Sequence, residues 1–230
     1  KVADGSLKLA FAHSERAAFL ASLIAGAPAL RFAVDAPERC VGLILVNTTA
    51  RGLAAPGYEF GVPPDVARRF TEEVIEPRAE NDSPAVVAVH APSVATDSVF
   101  VQWWDDAGSR GASPAIARAY QNLFIETDVR SLLASVSVPT LVIQRRDTLW
   151  FRPGHGRYMA EHMPNARYVE LPGADMTPFT ENADLVLEEI EEFLTGARHV
   201  PDDASRVLAI LLFTDIVEST NRAAEMGDQH

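Results

Sequence analysis

APERCVGLILVNTTAR, Ala36 to Arg51, is the stretch whose reading decides the fold class. Its centre, Val41 to Thr48, is a continuous apolar run. A strand with one face in water alternates apolar and polar residues. A strand covered on both faces has no need to, and such strands belong to parallel sheets packed between helices. Upstream, Gly26 to Ala36 has helical spacing and stops at Pro37. Further upstream, Arg16 to Leu20, RAAFL, and the alternating Ser6 to Phe11, SLKLAF, read as strands. Downstream, PTLVIQ from Pro139 to Gln144 is a second apolar run. ARYVEL, Ala166 to Leu171, alternates and ends at Pro172-Gly173. LVLEEIEEFL, Leu185 to Leu194, predicts a helix with Leu187, Ile190 and Leu194 on one stripe and Gly196 as its cap. Strands alternating with helices predict an α/β protein with a mostly parallel sheet.

Composition narrows the partners. The chain carries a formal net charge of -12 over 230 residues, so a phosphate backbone or an anionic membrane is a poor partner. The longest wholly apolar run, Val207 to Phe213, falls far short of the roughly 20 residues a membrane helix needs. Cys40 is the single cysteine, which rules out an internal disulfide and leads us to expect a cytoplasmic protein. The chain opens at Lys1 rather than Met and reads as a piece of a longer protein.

Between Thr49 and Val138 the rhythm breaks. Proline and glycine are frequent and the expected helices are short, as in a helical cap over the carboxyl edge of a sheet. Trp103 and Trp104, adjacent in VFVQWWDDAG, are expected either in the core of that cap or lining a pocket beneath it. APERCVGLILVNTTAR, VPTLVIQRRD, GHGRYMAEHMPNARYVELPGAD and LEEIEEFLTG together resemble the α/β-hydrolase family across residues 1–196, with the cap at about 50–137. The resemblance implies a serine on a strained elbow, an acid after a later strand and a histidine after the last strand. At those three places stand Leu23, Thr148 and Met176, with Ser22 and Asp147 each one position early. Ala21 and Ala25 occupy the glycine positions that flank the elbow. His155 and His162, around the helix before the last strand, are expected in capping or surface roles. The front is also short. The segment that carries the oxyanion-hole loop in the family does not appear between Phe11 and Ala12, being either deleted from the protein or omitted from the sequence as given.

The tail raises a different chemistry. After a linker at 197–206, VLAILLFTDIVEST delivers Asp215 at the end of an apolar run, and NRAAEMGD continues as a helix start. Carboxylates and carbonyls suit Mg²⁺, a hard cation. The run resembles the opening of a class III adenylate/guanylate cyclase domain, of ferredoxin-like fold, over residues 207–230. That resemblance implies Asp215 and the carbonyl of Ile216 as ligands of Mg or Mn in a full-length, dimeric parent that makes cAMP from ATP. Glu218 departs from the family's glycine, and the rest of such a site lies past His230, so the fragment itself is expected to bind no cofactor.

Two functions follow as expectations. In the first, residues 1–196 are a non-catalytic regulatory, ligand-sensing or dimerisation domain of such a cyclase, with a small apolar ligand in the cap cleft. The alternative is an active esterase or lipase with a non-standard triad. Met176 argues for the first, because a thioether cannot take a proton from a nucleophile.

Overall fold

The run read as a doubly covered strand is β2, Cys40–Thr48, buried continuously from Gly42 to Thr48 in the computed structural model. Residues 15–75, 83–111 and 114–197 are described. The chain divides into two units, Lys1–Arg198 and His199–His230; the description concerns the first. SLKLAF and everything from the linker's Arg198 onward, including the expected cyclase segment at 207–230, lie outside the described residues.

β2 pairs in parallel with β1 (Ala17–Leu23) on one side and β3 (Thr140–Arg145) on the other, and β4 (Ala166–Leu171) pairs in parallel with β3. The order is β1-β2-β3-β4. Helix α1 (Gly26–Asp35) joins β1 to β2. Between β2 and β3 the cap contributes α2 (Pro64–Phe70), α3 (Ser83–His90), α4 (Ser98–Gly111) and α5 (Pro114–Glu126). Helix α6 (Pro153–His162) joins β3 to β4, and α7 (Ala183–Thr195) follows β4.

Side-chain alternation explains the unbroken apolar run of β2. Leu43 and Leu45 pack with Leu30 and Ala33 of α1 and Met159 of α6. Ile44 and Val46 point the other way, onto Leu141, Ile143 and Val186. Each such side chain contributes about 1.5–3 kcal/mol on full burial, and both faces of the strand supply them.

Helix α7 corrects one expectation. Its sheet-facing stripe is Val186, Ile190 and Phe193, spaced i, i+4, i+7, whereas Leu187 and Leu194 are 65% and 51% exposed. The helix is rolled so that Glu189 also turns inward. Arg167 of β4 meets that carboxylate at 2.9 Å, which makes the burial tolerable. Gly196 ends the helix in the left-handed region at φ 75°, its N–H donating to the Glu192 carbonyl.

His155 corrects a second. It is fully buried rather than capping or at the surface. Its Nε2 lies 3.1 Å from the Trp150 carbonyl, which can only accept, so Nε2 carries the proton and Nδ1 accepts the Tyr58 hydroxyl at 2.8 Å. Burial pushes its pKa down to about 3, so the ring is neutral. His162 is at the surface as expected, with Nδ1 bonded to the Tyr158 carbonyl.

Candidate active site

Four loops leave the carboxyl ends of the strands and meet under the cap. The first is the turn from β1 into α1. Leu23 closes β1 at φ 56°, in the left-handed region, and Ala25 N–H donates to the Ser22 carbonyl at 3.1 Å. A leucine held there costs about 1–2 kcal/mol, so the sharp turn is imposed by its surroundings. Gly26 allows it: a β-carbon there would fall 1.7 Å from Thr48 Oγ1. The close approach that glycine permits therefore sits at position 26, just beyond the Ala21 and Ala25 positions singled out in the sequence.

The second loop starts at Asn47, also left-handed at φ 47° and fully buried. Its Oδ1 accepts the Arg145 N–H at 2.9 Å, and its Nδ2 donates to the carbonyls of Asp175 and Met176 at 3.2 and 2.9 Å. One side chain thus ties the end of β2 to the end of β3 and to the loop after β4. The third loop holds Asp147 and Thr148. Asp147 is exposed to solvent, while the Thr148 hydroxyl donates to the carbonyls of Arg145 and Phe151 and only stiffens the turn.

The fourth loop carries Asp175 and Met176, both buried. The Asp175 carboxylate accepts Ser93 N–H at 2.9 Å, Ser93 Oγ–H at 2.6 Å and Glu181 N–H at 3.2 Å. Burial alone would push this carboxyl up. Hydrogen bonds from Ser93, Thr180 and the Glu181 backbone outweigh it and hold the pKa below the usual carboxylate range. Ser93 lies in the cap, so this ionised group fastens the cap to the sheet. A second fastening lies next to it, where Met176 N–H donates to the His90 carbonyl at 2.8 Å. The guanidinium of Arg145 is enclosed beside this loop, its Nη1 3.4 Å from the Asp175 carbonyl. Desolvation lowers its pKa, and the charges of Asp175 and Glu181 oppose that.

Between sheet and cap lies a cavity of about 230 Å³. Leu23, Ile24 and Met176 line it from the sheet side. Val86, Val89 and His90 line it from α3, Trp104 from α4, and Tyr120, Gln121 and Phe124 from α5. Trp150 and Phe151, from the turn after β3, complete the apolar surround. Two of the expected triad positions, Leu23 and Met176, therefore meet at one cavity, and Thr148 does not reach it. Ser22 Oγ is enclosed and has no hydrogen-bond partner among the described residues. The two tryptophans divide: Trp104 lines the cavity, whereas Trp103 is 51% exposed and packs edge-on to Phe179.

The sequence reading missed the polar groups of this cavity. His90 is a single histidine after the apolar run AVVAV, with no spacing signal to another catalytic type. Only the fold carries it beside Met176. Asp215 and Ile216 lie outside the described residues. Among the described residues no group of three or more His, Cys, Asp or Glu side chains is placed to hold a metal ion, and no helix is long and apolar enough to cross a membrane.

The parallel sheet, the strand-turn-helix elbow and the cap define an α/β-hydrolase fold. No family model matches the chain. It is 25% identical over 158 residues to the pimeloyl-acyl-carrier-protein methyl ester esterase of Nitrosomonas europaea, covering 68% of this chain and 62% of that protein. Among solved structures it is similar to the enol-lactonase of Burkholderia xenovorans, with 26% identity, a TM-score of 0.62, and coverage of 79% of this chain and 66% of that one. A bromoperoxidase of Bacillus anthracis, at 21% identity and a TM-score of 0.64 over 76% of this chain and 66% of that one, supports the fold alone. The chain thus spans less than two thirds of the length of these relatives. These findings overturn the expectation of a non-catalytic regulatory, sensing or dimerisation domain of a cyclase. The likeness is to working hydrolases, and nothing in it leads to a cyclase. That expectation rested on side-chain type at three positions alone, Leu23, Thr148 and Met176.

Proposed function

We propose that this chain is a carboxylic-ester hydrolase with a non-standard site, acting on an ester or lactone whose apolar acyl part lies in the cap cavity. The observation that carries this reading is the left-handed elbow at Leu23, kept at the floor of an apolar cavity of about 230 Å³. A strained turn is retained where the surrounding structure over-determines it, and such turns cluster at functional sites. The esterase and the enol-lactonase, whose names specify ester and lactone bonds, support the bond type. The lining supports the apolar acyl group, since sites for small molecules are concave and mostly apolar with a few placed polar groups. Leu23 and Met176 supply neither nucleophile nor base, so the proposed route is direct attack of water without a covalent acyl-enzyme. Such a route calls only on protein groups and water. In this reading the hydrolase unit covers 1–196 with its cap at about 50–137.

The test is turnover of p-nitrophenyl esters from acetate to decanoate by the purified chain. We expect release of p-nitrophenol above the buffer rate, highest for medium-length acyl groups, and a shift of that optimum to longer chains in Trp104→Ala, which enlarges the cavity. Rates equal to buffer across the whole series would overturn the reading.

A further inference from the structure

His90 and Gln121 are polar side chains in the lining of a mostly apolar cavity, and the proposed esterase leaves them without a role. His90 stands at the carboxyl end of α3. Its Nδ1 is 2.9 Å from the Val86 carbonyl, an atom that can only accept. The neutral ring therefore carries its proton on Nδ1 and has its basic lone pair on Nε2. The backbone of the same residue is fixed by the Met176 N–H at 2.8 Å. The residue standing where a loop histidine is expected thus holds a cap histidine beside the cavity. The second group is Gln121 of α5. Its Nε2 is enclosed and has no hydrogen-bond partner among the described residues. A buried amide donor left so is costly. A ligand carbonyl oxygen in the same cavity would satisfy it.

We propose that His90 is the general base of the reaction and that Gln121 donates to the oxygen of the substrate carbonyl. This rests on the ester-hydrolase reading above. His90 Nε2 takes a proton from a water molecule as the water oxygen forms its bond to the carbonyl carbon. The carbonyl π pair moves to oxygen, where the Gln121 N–H stabilises it. On collapse the bond between carbon and the alkoxy oxygen breaks, and the alkoxide leaves with the proton from the His90 imidazolium. Water and ester become acid and alcohol, and both side chains return to their starting state. The Asp175–Ser93 clamp and the Met176 bond act as positioning contacts, since they set where the carboxyl end of α3 stands over the elbow. The base thus comes from the cap instead of the loop after β4, and the oxyanion donor from a side chain instead of a front segment.

The experiment uses the full chain with p-nitrophenyl hexanoate as substrate and tryptophan fluorescence, from Trp104 and Trp150 at the cavity, as a binding readout. His90→Gln should lower kcat about 100-fold or more, the scale of a general base, with KM within about threefold of the parent on the same logic. His90→Ala should regain part of its rate on addition of imidazole. Gln121→Leu should lower kcat and weaken binding of 2-heptanone, while binding of n-heptane stays unchanged. Turnover that survives His90→Gln unchanged would overturn the inference and leave the esterase reading standing. A parent chain without turnover would overturn the esterase reading and the base together. Equal effects of Gln121→Leu on ketone and alkane binding would overturn the role of Gln121 whatever the rates.

Discussion

Replacing Asp175 with alanine tests the clamp between cap and sheet directly. The carboxylate is fully buried and, besides its contact with the Thr180 hydroxyl, accepts three hydrogen bonds, from the Ser93 amide, the Ser93 hydroxyl and the Glu181 amide. Leaving a buried donor unpaired costs about 1–3 kcal/mol. Ser93 is exposed on its other side, so water recovers part of the loss and the lower end of that range applies to each of the three. The expected destabilisation is therefore about 3 kcal/mol. Asp175→Asn keeps one acceptor oxygen but sets an amide donor against the others, and should lose about 2 kcal/mol on the same basis. The sign with pH follows from the depressed carboxyl. Its folded pKa lies below the unfolded value of about 3.9, so its contribution is complete above about pH 4 and disappears as the pH falls through the folded value. Urea unfolding at pH 7 and again in acid measures both. The midpoint should fall with the slope unchanged, and the gap between parent and Asp175→Ala should narrow in acid. A variant within about 0.5 kcal/mol of the parent at pH 7, the ordinary range of surface changes, or a gap that does not narrow, would refute the clamp.

Gly26→Ala should destabilise the fold by about 1–3 kcal/mol, the usual cost of overpacking, although alanine is the better helix former, because its β-carbon would meet Thr48 Oγ1 at 1.7 Å. Thermal melting decides this, and an unchanged or raised melting temperature would show that α1 simply shifts. His155 should remain neutral far into acid, since burial lowers its pKa to about 3; its stabilising effect is complete above the unfolded value of about 6.5 and is lost as the pH falls from there towards 3. Imidazole carbon-bound proton shifts followed by NMR should show no titration of His155 between pH 8 and 5, and a midpoint near 6.5 would contradict its burial.

The sheet was legible because its signal is local. Two covered faces leave an unbroken apolar run, and β2, β3 and β4 each fall within a residue or so of the runs read from sequence. Helix α7 was legible as a helix but not in its rotation. Leu187, Ile190 and Leu194 fit one stripe as well as Val186, Ile190 and Phe193 fit another, and a salt bridge from Arg167 to Glu189 favours the second. Hydrophobic periodicity cannot see that pair, because Arg167 lies on a different element.

The site was legible only where it obeys a motif. The elbow could be counted from its distance to APER, and Leu23 stands there with the positive φ that such a turn requires. His90 belongs to no such count. Eighty-six positions separate it from Met176 in the chain, yet one backbone hydrogen bond joins them. Motif reading assumes that each role stays on its own loop. Chemistry imposes a weaker condition, namely a basic nitrogen and a donor at one cavity, wherever in the chain they originate. In a fold whose cap lies over the carboxyl ends of the strands, a cap helix can meet that condition as readily as the loop after β4. Loss of the histidine from that loop therefore removes one source of a base while the imidazole of His90 still lines the cavity.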